Sequence, residues 1–234
     1  LGVVITHSGA ASAAGGVYSS NGGLFHIEQT GKLVIADSSS VRGGGMAVNV
    51  GHVQVDGELQ LLGTGDFEVW TSTRGGGMLL EAGGKLTVSS TGRVLFENCL
   101  AVDSGAGLLV TGADTAASFL PGSQVTFRGN KATNANGGAL LVSIGASVTI
   151  HSASITATSN FAGGKGGAWA VQEQGVLIVK GGTLTIASNT AGTSGGAMSA
   201  EFEGVLELHA AEGKLFLFNN FAAGSGGALH ANSA

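Results

Sequence analysis

One cysteine, one proline and very little charge set the first limits on this chain of 234 residues. A single thiol, Cys99, excludes an intrachain disulfide framework. Collagen needs abundant proline and a strict glycine period of three, and neither is present. Only 11% of the residues are charged and the net charge is −5, so there is no basic stripe for nucleic acid. No apolar run reaches the ~18–20 residues of a membrane-crossing helix, and no basic amphipathic segment suits a membrane surface. Disorder is excluded too, because 43% of the residues are hydrophobic. What the chain has in excess is glycine, 43 residues of it.

That glycine is periodic. A tetrad of two or three small residues followed by an apolar one begins at Gly15, Gly43, Gly75, Gly105, Gly137, Gly166, Gly195 and Gly226. Successive steps are 28, 32, 30, 32, 29, 29 and 31 residues. Between tetrads lie short runs rich in Val, Ile, Leu and Thr, such as Val176–Val179 and Thr183–Ile186, separated by Gly181 and Gly182. Runs of four are too short for helices and suit strands. Three strands per 30-residue unit describe an all-β fold, a right-handed parallel β-helix with three sides and about seven coils. Each coil buries its apolar face only by stacking on its neighbours. We expect residues 1–234 to form a single such domain, a portion of a longer protein.

Stacking turns equivalent positions into columns. The fourth tetrad position (Tyr18, Met46, Met78, Leu108, Leu140, Trp169, Met198, Leu229) and the sixth are expected to face inward, since residues two apart share a face. The fifth then faces outward and reads Ser19, Ala47, Leu79, Leu109, Leu141, Ala170, Ser199 and His230. Leu79, Leu109 and Leu141 are thus expected to form either an apolar partner-binding stripe or the floor beneath a loop, with Thr111–Ser118 best placed to cover them. Upstream of five tetrads stand Asn98, Asn130, Asn160, Asn189 and Asn220, which should stack as an amide ladder.

The Gly-Gly-Ala-Leu tetrad combined with an upstream Phe-x-x-Asn, read at Phe127–Asn130 and Phe216–Asn219, resembles the repeats of the chlamydial polymorphic outer-membrane proteins and of large algal surface proteins. The motif varies at Ile186–Asn189 and shortens at Phe96–Asn98, and the first two coils lack it. The resemblance implies a secreted, surface-displayed β-helix used for adhesion. Its partner would be a protein or glycan at a cell surface, copies of the chain itself, or further repeats of the same chain.

Catalytic chemistry finds little footing. Polysaccharide-cleaving β-helices need clustered carboxylates, whereas Asp37, Asp56, Asp66, Asp103 and Asp114 fall in different repeat phases. Lys32, Glu58 and Arg93 share one column, as do Gln172 with Glu201 and Gln174 with Glu203, which suits pairing on a solvated face. The six histidines are scattered without zinc-ligand spacing. No segment matches a phosphate-binding loop, so neither metal nor cofactor is expected. A threonine array of the ice-binding kind is interrupted: Thr156 with Thr158 and Thr183 with Thr185 stand beside single threonines. The expectation is therefore a non-catalytic extracellular module for adhesion or assembly, with a carbohydrate-active β-helix and a filament subunit as alternatives.

Overall fold

Alternating β-branched residues closed by glycine turns leave each short segment one apolar side and one polar side, and such segments pair edge to edge. The computed structural model describes residues 2–65 and 74–232, and every regular element in it is a β-strand. All strand pairs are parallel, with partners roughly 30 residues apart, as in Met78 with Leu108. The result is a parallel β-solenoid of about seven turns. No helix among the described residues is long and apolar enough to cross a membrane.

Three long ladders make the sides. The first face carries the tetrads in eight strands, from Val17–Ser20 through Met78–Glu81 and Leu140–Ser143 to Leu229–Asn232. The second runs from Leu24–Ile27 through Ser147–His151, and the third from Gly2–Thr6 through Ser154–Thr158. In the last two coils these faces join, because Val176–Ala187 and Val205–Phe218 continue around the corner between them, with a register shift near Lys180. A ladder of two-residue strands, from Leu100–Ala101 to Phe221–Ala222, lines the corner after the third face.

The bore is one continuous apolar core, filled from all three faces. Phe96 and Phe127 stack in it with ring centroids 4.8 Å apart. One coil on, their column narrows to Ala157, and at the start of the next coil Trp169 enters from the first face, where its neighbours are Leu140 and Met198. Volume is exchanged between faces, as close packing requires.

The first coil departs from the expected columns. Val17, not Tyr18, pairs with Met46, so Gly15 stands beside Gly44 and the tetrad reading is one residue out of phase there. Tyr18 therefore points outward and is 52% exposed, while Ser19 takes the inward place and is buried. A one-residue slip moves every side chain to the opposite face.

Candidate interaction surface

A corner that turns within one or two residues needs left-handed backbone and something to satisfy the buried amides it strands. After each strand of the third face one residue takes positive φ: His7, Asp37, Gly63, Asn98, Gly129, Ser159, Ser188 and Asn219, between 49° and 65°. The residue that follows points into the corner and builds a polar column. Ser8 and Ser38 share a hydrogen bond of 3.0 Å, Thr64 Oγ1 donates to Cys99 Sγ at 3.3 Å, and asparagines occupy the remaining four coils. Asn160 shows the pattern in full. Its Oδ1 accepts from the backbone N–H and Nδ2 of Asn130, at 3.0 and 2.9 Å. Its Nδ2 donates to Phe127 O at 3.2 Å and to Asn189 Oδ1 at 2.9 Å. Asn189 repeats all four bonds with Asn160, Ala157 and Asn220.

The ladder thus joins Asn130, Asn160, Asn189 and Asn220, and Asn98 is not in it. Asn98 is the left-handed corner residue, and Cys99 stands in the ladder column, its N–H donating to Asn130 Oδ1 at 3.0 Å. The motif in the last coil shifts likewise. Leu217, not Phe216, aligns with Ile186, so Leu217 leads to Asn220 while Phe216 faces outward.

Leu79, Leu109 and Leu141 do not form an accessible stripe. They point away from the bore, in a cluster of their own with Ala14, Ala47 and Ala170, yet are only 0, 1 and 3% exposed. The cover is not Thr111–Ser118. It is the segment that leads into each tetrad, whose first glycine curls the chain back over the sheet. A Cβ on Gly75 would lie 3.0 Å from Leu79 Cβ, and one on Gly137 would lie 3.0 Å from Leu141 Cβ. Both glycines have positive φ, so conformation and closeness demand glycine together.

This covering segment is clipped down by a feature the sequence reading missed. The residue just before a tetrad reaches the seventh tetrad position one coil later. Arg42 is ion-paired with Glu81, Asn136 Nδ2 donates to Gln172 Oε1 at 2.7 Å, and Lys165 Nζ meets Glu201 Oε2 at 2.5 Å. Glu201 is 5% exposed, and His230 Nε2 approaches its second oxygen to 3.1 Å without the alignment of a hydrogen bond. The signal was present as a charge or amide before the glycines, answered 36 or 39 residues on. Gln172 is accordingly committed to Asn136 and not to Glu201, whereas Gln174 does donate to Glu203, at 2.8 Å.

Three more carboxylates are separately held. Lys32 meets Glu58 at 3.0 Å, Arg128 meets Glu97 at 2.8 Å and His26 meets Asp56 at 2.7 Å. Hydrogen bonds from Lys32 to Glu58 and from His26 to Asp56 hold both carboxyls below their ordinary range. Asp66 lies outside the described residues. Among those described, no three His, Cys, Asp or Glu side chains are grouped to hold a metal ion.

With the first face self-covered, open surface is left on the second face and on the third. Two of the third face's three outer columns run Lys32, Glu58, Arg93, Gln124, Ser154, Thr183, Lys214 and Val34, Gln60, Leu95, Thr126, Thr156, Thr185, Phe216, and the third includes Glu97, Arg128, Thr158 and Phe218. Charge dominates the early coils, hydroxyls the middle, and the exposed Phe216 and Phe218 the last. The threonine column spans Thr126, Thr156 and Thr185 and is bounded by Leu95 and Phe216. No family model, curated protein or solved structure matches this chain.

Proposed function

We propose that this chain is a non-catalytic module displayed outside the cell, acting through its outer surface in adhesion or structural assembly on a protein or glycan partner. The observation that carries this reading is the third face: an open ladder that presents aligned charged, hydroxyl and aromatic columns at one coil spacing, ~4.8 Å. Such a face offers many weak contacts in register, which suits repetitive ligands more than a single small molecule. The carboxylates on it, Glu58 and Glu97, are engaged by Lys32 and Arg128 rather than by each other.

Beads coated with the chain should adhere to matrix protein or glycan surfaces. Replacing Thr126, Thr156 and Thr185 together with aspartate should weaken adhesion without changing the far-ultraviolet circular dichroism. Release of reducing or unsaturated sugar ends from polysaccharides would overturn the non-catalytic reading in favour of a carbohydrate-active β-helix.

A further inference from the structure

We propose that the turn between the first and second faces is a docking groove for a partner protein's extended segment in which apolar side chains alternate with lysine or arginine. The proposal rests on the reading of the chain as a binding module and names the class of partner.

Each coil leaves the first face through a residue of positive φ. Asn21 and Gly112 take this conformation at little cost. Val50, Ile144 and Phe202 do not, with φ of 53°, 54° and 49°, and a β-branched or bulky residue there is a steric outlier. None of these side chains is repaid by the core, since they are 50%, 53% and 50% exposed. Strain and solvent exposure thus fall on the same three apolar residues, where glycine or asparagine would serve the turn better, and two of them, Ile144 and Phe202, stand two coils apart on one surface.

Between and beside them the surface is concave, lined by Ile144, Gly145, Glu173, Gln174, Phe202 and Glu203. Its charge is one-sided. Glu58, Glu81, Glu97 and Glu201 are each ion-paired with lysine or arginine, whereas among the described residues neither Glu173 nor Glu203 has a cationic partner. Gln174 Nε2 donates to Glu203 at 2.8 Å and orients that carboxylate without neutralising it. Lys165 Nζ lies 5.8 Å from the Phe202 ring centroid, but Glu201 already holds its charge. An apolar floor with an anionic rim repels nucleic acid and anionic lipid and gives a neutral glycan no use for the charge. It complements a cationic, apolar peptide.

The test uses a fluorescein-labelled peptide, acetyl-Gly-Leu-Lys-Leu-Lys-Gly-amide, titrated with the whole chain by fluorescence anisotropy. Binding should weaken in high salt and fall at least about tenfold in the double variant Glu173→Gln with Glu203→Gln. Ile144→Gly should lose a similar amount of binding while its thermal midpoint stays level or rises, because glycine relieves the strained turn. Equal binding of the counterpart peptide with glutamate for lysine, or undiminished binding by the double variant, would overturn the proposal. So would a concentration-dependent dimer that the double variant abolishes, since the occupant would then be a second copy. Adhesion to matrix or glycan without peptide binding would sink the groove and leave the module reading standing. Loss of both would sink both.

Discussion

An asparagine side chain has two donors and two acceptor sites, and buried Asn160 uses all four. Asn160→Ala removes them and strands the buried amide of Asn130. The expected loss is about 2–4 kcal/mol in urea unfolding, against under about 0.5 kcal/mol for Thr156→Ala on the open face. Cys99 occupies the same column in a buried corner, and burial pushes its thiol up to about 11. It should resist iodoacetamide until the chain unfolds. Composition made the asparagine column visible but not its boundary. Asn98 matches that column by residue type alone, while the ladder continues through a thiol, a threonine and two serines that share only their place after the left-handed corner.

Strand and turn positions were legible wherever glycine and apolar period agreed, which they do in seven of the eight tetrads. They failed where two glycines leave the phase open, as at Gly15 and Gly16, and only pairing against Met46 resolves it. The outward direction of the leucine column was also readable, but not its cover. Tetrad spacing does not reveal that the first glycine's positive φ folds its own coil back over the sheet. At this scale His52, on the second face, makes the sharpest prediction. Burial, then the charge of Lys85, lowers its pKa below the ordinary 6.5. The unfolded chain therefore binds the proton more readily than the folded one. Stability is full above about pH 6.5 and declines as pH falls towards the folded-state value. The lowered carboxyls of Asp56 and Glu58 lose their contribution only at more acid pH. His52→Gln should flatten the slope of stability between pH 7 and 5, measured by urea titration at each pH.

The whole molecule is a stack in which each coil touches only its neighbours, so a coil should be removable. Deleting 137–165 places Asn136 before Gly166, brings Leu108 against Trp169 and Asn130 against Asn189, and lets Asn136 face Glu201 in place of Lys165. The shortened rod should fold, with its urea m-value lower by about one seventh in proportion to the surface buried. Retention of the full m-value, or failure to fold, would contradict a nearest-neighbour stack. The same ladders fix how such a rod bears load. Backbone hydrogen bonds between coils lie along its axis, so tension applied end to end strains one coil boundary after another instead of sharing the force among them. A detached coil of about 30 residues pays out roughly 100 Å of chain where the folded stack held ~4.8 Å of length. Anchored at both ends, the protein would yield stepwise and absorb work as an extensible tether.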